Sequence, residues 1–76
     1  MNRCEYHVIE SFCEEVGIVT YGISAWQRYS RKIVEVCSIE DISPDKRAVL
    51  KVAEYCQRVQ LSPIHLMDVI EDFLSG

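Results

Sequence analysis

The 76-residue sequence predicts an α+β fold, a three-stranded antiparallel β-meander packed on two C-terminal helices. Three observations carry this. The first forty-two residues alternate apolar and polar side chains as strands do, and the last thirty-four repeat with helical period. Ser43-Pro44 and Ser62-Pro63 are matching helix-start signals, each a serine N-cap followed by a proline at the first helical position.

The strands are placed at about 5–13, 18–26 and 31–39, and their register follows from the loops. A four-residue loop at Glu14-Glu15-Val16-Gly17 opposes Phe12 to Val19, Glu10 to Tyr21, Val8 to Ile23 and Tyr6 to Ala25. A second four-residue loop at Gln27-Arg28-Tyr29-Ser30 places Ile23 by Val34, Tyr21 by Val36 and Trp26 by Arg31. One face then collects Tyr6, Val8, Phe12, Val19, Tyr21, Ile23, Ala25, Val34 and Val36. A one-residue slip in either hairpin scatters that set over both faces, which favours this pairing. Glu10 is the one misfit on the apolar face.

The helices are placed at about 44–60 and 63–75. At about 100° per residue the first gathers Ala48, Val49, Val52, Ala53, Tyr55, Cys56 and Val59 on one arc. Arg47, Lys51, Glu54 and Arg58 take the opposite arc. The second helix gathers Leu66, Met67, Val69, Ile70, Phe73 and Leu74 opposite His65, Asp68, Glu71 and Asp72. Leu61 and Leu66 occupy the positions of a hydrophobic staple. Both helices are expected to pack on the apolar face of the sheet.

The length suits one small domain over 1–76, and so short a chain is marginal on its own core. Disulfides, a metal or a partner subunit are the usual supports. Cys4, Cys13, Cys37 and Cys56 include no C-x-x-C pair, so the close ligand pairs of structural zinc sites are missing. Residues 1–20 are rich in charge where a signal peptide needs an apolar stretch, and no apolar run is long enough to span a membrane. The expectation is a cytoplasmic protein with free thiols, no cofactor and no membrane contact, in which a second copy supplies the missing stability.

Tyr21-Gly22-Ile23, Asp41-Ile42-Ser43-Pro44-Asp45 and above all the stretch from Leu61 to Leu74 resemble a family of small proteins of unknown function from Gram-positive anaerobic bacteria. The resemblance implies a small stand-alone cytoplasmic protein. It brings no catalytic residue, cofactor or partner.

Trp26, Arg28, Arg31 and Lys32 sit on a predicted hairpin tip, where cations could neutralise phosphates and the indole could stack on a base. Residues 1–42 hold only four positive charges against seven negative, a field hostile to nucleic acid. Tryptophan and arginine also dominate protein interfaces, which favours a protein contact there. A helix–turn–helix would place the acidic face of the second helix against DNA, so it is set aside. His65, Asp68 and Asp72 could converge on a metal ion, but acidic residues early in a helix already answer its dipole. Cysteine catalysis would need Cys13 or Cys37 beside His7 and a water-excluding cleft that an open sheet does not offer.

The remaining feature is the outer sheet face. In the sequence register it carries Ile9, Ile18, Ile33 and Ile39, together with Cys13, Cys37 and Trp26. Several apolar residues on one face indicate either an interaction surface or cover by a crossing helix. The expectation is a non-enzymatic protein–protein interaction or regulatory module that self-associates as a homodimer, with Trp26, Arg28, Arg31, Ile9 and Ile33 as contact residues. Edge-to-edge pairing of outer strands is a second route to a dimer. The alternative is a nucleic-acid-contacting accessory protein using the Arg28–Lys32 tip.

Overall fold

Gly17 closes the first hairpin with a left-handed φ of 67°, its N–H donating to the Cys13 carbonyl at 2.8 Å. The turn occupies the anticipated 14–17, and the pairing runs unbroken from Arg3–Arg28 to Cys13–Ile18 in the expected register. The computed structural model describes residues 3–75. Its elements are β1 (Arg3–Cys13), β2 (Ile18–Tyr29), β3 (Lys32–Ser43), α1 (Lys46–Val59), a 3-10 turn (Pro63–His65) and α2 (Leu66–Ser75). The sheet is antiparallel with strand order β1-β2-β3.

The second hairpin departs from the sequence reading. Its turn is the two residues Ser30-Arg31, not a loop over 27–30, and β2 and β3 continue to Tyr29 and Lys32. Ser30 has a φ of 45°, the positive value with which tight hairpins match the strand twist. Trp26 therefore faces Glu35 rather than Arg31, and Ile23 and Tyr21 face Ile39 and Ser43 rather than Val34 and Val36. A bulge at Val36 reverses the alternation of β3. Cys37 and Ile39, expected on the outer face, consequently sit opposite Ala25 and Ile23 and pack against the core. A larger irregularity over residues 40–42 includes Asp41 at a φ of 56°.

Both helices lie on one side of the sheet. The core joins Cys4, Tyr6, Ile23, Ala25 and Ile42 to Val49, Ala53 and Cys56 of α1 and Leu66 and Ile70 of α2. Leu61 packs at its margin, and the Tyr6 hydroxyl donates to the Leu61 carbonyl. The helices do not cover the whole apolar face: Phe12 remains 61% exposed, and Val34, Val36, Tyr55 and Val59 are exposed too. Glu10, the misfit of the sequence reading, is also exposed on this uncovered end of the first hairpin.

Helix starts differ in kind. Ser43 is the last residue of β3, paired with Tyr21, so it does not cap α1. Asp45 does, its Oδ1 accepting from the backbone N–H of Arg47 at 3.1 Å and of Ala48 at 3.3 Å. Ser62 holds the N-cap position ahead of Pro63 but makes no side-chain cap bond. Asp45→Ala is therefore expected to cost about 1 kcal/mol in urea unfolding, and Ser62→Ala less than about 0.5 kcal/mol.

The C-terminal end of α1 meets the edge of β1. Gln57 Oε1 accepts from the Tyr6 N–H at 2.9 Å and its Nε2 donates to the Cys4 carbonyl at 2.9 Å. Gln60 Oε1 accepts from the Cys4 N–H at 3.0 Å and its Nε2 donates to the same carbonyl at 3.0 Å. Two side-chain amides thus stand where a neighbouring strand's peptide groups would be.

Candidate functional site

On the face of the sheet opposite the helices, alternation places His7, Ile9 and Ser11 of β1 beside Thr20, Ser24 and Trp26 of β2, with Ile33 and Glu35 of β3 beyond. None of the described helices crosses this face, since both contribute their buried residues to the other side. An open groove of about 420 Å³ is lined by His7, Ile9, Ser24, Trp26, Ile33 and Glu35.

The polar groups of the groove are tied down. Ser24, only 1% exposed on the central strand, donates its hydroxyl to Glu35 Oε2 at 2.5 Å. This anchors a charge beside the groove and satisfies a buried hydroxyl at once. The His7 ring meets the Trp26 ring edge-on, with centroids 6.5 Å apart and planes at 81°. Glu5 Oε2 accepts from Arg28 Nη2 at 2.8 Å and Nε at 3.3 Å, while Oε1 lies 3.3 Å from His7 Nε2. The Arg28 hydrogen bond leads in holding the Glu5 carboxyl below its usual pKa, with the Arg28 and His7 charges adding to it against some desolvation.

The anticipated contact residues are thus divided. Trp26, Ile9 and Ile33 line the groove together. Arg28, on the same face, is engaged by Glu5. Arg31 lies in the turn at the end of the hairpin, not opposite Trp26, where the sequence register placed it. Sequence reasoning missed Glu5, Ser24 and Glu35 as groove-shaping residues: Glu5 meets Arg28 because β2 runs on through residues assigned to a loop, and alternation alone does not say which side chains of one face bond.

Other candidate chemistries are not assembled by the fold. Cys37 lies on the opposite face of the sheet from His7, and burial, with a lesser push from Glu35, raises its pKa. Burial likewise raises the pKa of Cys56, a direction that suppresses the reactive thiolate. All four cysteines are free thiols. His65 Nδ1 and Asp68 Oδ2 are 4.0 Å apart on exposed side chains, and no three metal-ligating residues converge among the described residues. A second open groove, about 630 Å³, runs between α1 and α2 over Val52, Val69 and Phe73 beneath Arg47 and Lys51.

No helix among the described residues is long and apolar enough to cross a membrane. No curated protein and no solved structure matches the chain. The model of a family described as a family of unknown function, DUF6514, matches residues 1–76, and the protein belongs to that family.

Proposed function

We propose that this chain is a non-enzymatic protein-interaction module of the cytoplasm, which self-associates through its sheet and presents the outer sheet face to a protein partner. One observation carries the reading: an apolar groove around Trp26 lies on a face that no described helix covers. Tryptophan beside Ile9 and Ile33 supplies the apolar anchor that interface centres use, and the Ser24–Glu35 and Glu5–Arg28 pairs supply fixed polar neighbours. The groove's one hydroxyl–carboxylate pair, Ser24–Glu35, has its hydroxyl on a residue only 1% exposed, which supports a binding role over catalysis. The resemblance of Leu61–Leu74 supports an origin in Gram-positive anaerobic bacteria.

The nucleic-acid alternative is the weaker one. Arg28 already serves Glu5, which leaves Arg31 and Lys32 as the free cations of the tip in an acidic half-chain. Solution mass by light scattering at low and high salt, with and without reductant, tests the reading. A dimer unaffected by either variable is expected, whereas a monomer overturns self-association. Salt-sensitive binding of a single-stranded oligonucleotide, lost in an Arg28→Glu/Lys32→Glu variant, would replace this reading with the alternative.

A further inference from the structure

Sheet edges are hazards unless something closes them, and this sheet closes its edges unevenly. β3 is interrupted by the bulge at Val36 and the irregularity over residues 40–42, which break the regular row of groups that an added strand needs. On β1, Cys4 and Tyr6 turn their backbone groups away from β2 and give them to Gln57 and Gln60. The β1–β2 ladder has no bulge, so the same alternation directs the N–H and C=O groups of Val8, Glu10 and Phe12 outward. Among the described residues nothing pairs with them. One short stretch of regular open edge therefore remains.

We propose that two copies of the chain join along this stretch, β1 antiparallel to β1, with Ser11 opposite Ser11 of the second copy. The inference rests on the self-association reading and specifies its route. Along the open edge Val8 and Phe12 flank Glu10 on the helix side, and Ile9 and Cys13 flank Ser11 on the outer side. A second β1 offers the same Ile9 and Cys13 on its outer side, so the two copies can match that apolar pair twice across the edge. Phe12 and Val16, 61% and 65% exposed, mark this end of the hairpin as the least covered part of the sheet.

Electrostatics and edge length select the register. Centring the pairing on Glu10 sets two carboxylates directly opposite, which is unfavourable. Shifting it toward the N-terminus runs the ladder into Tyr6, whose N–H is already held by Gln57. Centring it on Ser11 puts Glu10 opposite Phe12 and Ile9 opposite Cys13. It also brings Glu14 of the second copy, in the turn just past β1, to the end of the ladder at Val8, whose groove holds Arg58 beside Glu54. The guanidinium there can meet the incoming carboxylate. The product is a six-stranded sheet whose outer faces join into one surface with a Trp26 groove on each half.

Light scattering on the full chain and its variants tests this. Glu10→Pro removes an outward N–H that the chain does not use internally, a position where edge strands tolerate proline. Phe12→Lys alters an exposed side chain and is the second variant should the first fail to fold, folding being checked by circular dichroism. Both are expected to halve the mass while Ile33→Asp keeps the dimer. In a Cys13→Ser background, Ser11→Cys is expected to form a covalent dimer under mild oxidation, because non-hydrogen-bonded antiparallel pairs bring Cα atoms to about 4.5 Å. If folded Glu10→Pro and Phe12→Lys both stay dimeric, or Ser11→Cys does not cross-link within a dimer, the edge proposal fails and self-association stands. A monomeric wild-type chain overturns both.

Discussion

Gly22→Ala is expected to unfold this protein or cost it roughly 3–5 kcal/mol, more than any other single-methyl change in the sheet. A Cβ at Gly22 would lie 2.1 Å from the Ile39 carbonyl oxygen and 2.8 Å from the Glu40 Cα. Both obstacles are backbone, so no side-chain rotation relieves the clash. The cause is the β3 irregularity: between its pairings with Ile23 and Tyr21, β3 spends three residues where β2 spends only Gly22. The strand folds over that position and then leads through Ser43 towards α1. Ile42, buried in the core, depends on the same detour. Gly17, by contrast, has open space around its Cβ direction, and its cost on substitution comes from the left-handed φ of 67° alone. Urea unfolding of Gly22→Ala and Gly17→Ala, followed by circular dichroism, separates the two. A loss at Gly22 no larger than about 1 kcal/mol would mean that β3 does not press on β2 there.

That crossing explains why one hairpin was legible in the sequence and the other was not. In β1 and β2 the apolar set, the Gly17 turn and strict alternation agree, and the observed register is the anticipated one. The second hairpin offered no such agreement. Exchanging its four-residue loop for the two-residue turn shifts the pairing by an even number, so Ile33 and Glu35 keep their face and the hydrophobic pattern cannot distinguish the options. Beyond Glu35, Val36 suits the inner face in one phase and Cys37 and Ile39 suit it in the other, so Ser38, turned outward, is the single mark of a bulge that exchanges the phases. The helix starts show a similar ambiguity. Ser43 and Asp45 are both competent caps, and Ser43 is claimed by its pairing with Tyr21, a tertiary fact absent from local sequence. Of the groove, Trp26, Ile9 and Ile33 could be read from alternation alone. The Ser24–Glu35 bond was not read, because alternation sets both residues on the outer face as diagonal neighbours in either register without saying which side chains of that face bond.

Replacing both glutamines, Gln57→Met with Gln60→Met, is expected to lower stability by roughly 2–4 kcal/mol, because the Cys4 N–H, Cys4 C=O and Tyr6 N–H lose their partners while the apolar stems are kept. The shift in the urea midpoint measures it. Gln60 sharpens the argument, since it ends α1 at a φ of 52°, a left-handed position usually held by glycine. A glutamine there carries backbone strain of about 1 kcal/mol, which its two bonds to Cys4 offset. Gln60→Gly should accordingly lose less stability than Gln60→Met, by about that strain, although both lose the same bonds. Equal losses would mean that the αL backbone at residue 60 carries no such penalty. The double methionine variant also lengthens the open edge of β1 from Val8–Phe12 to the whole strand. If the two amides limit where another strand can add, this variant should associate beyond the wild-type mass as its concentration rises, and Glu10→Pro placed in the same chain should reduce that association. A double variant that is destabilised yet keeps the wild-type mass would assign the glutamines a role in stability alone.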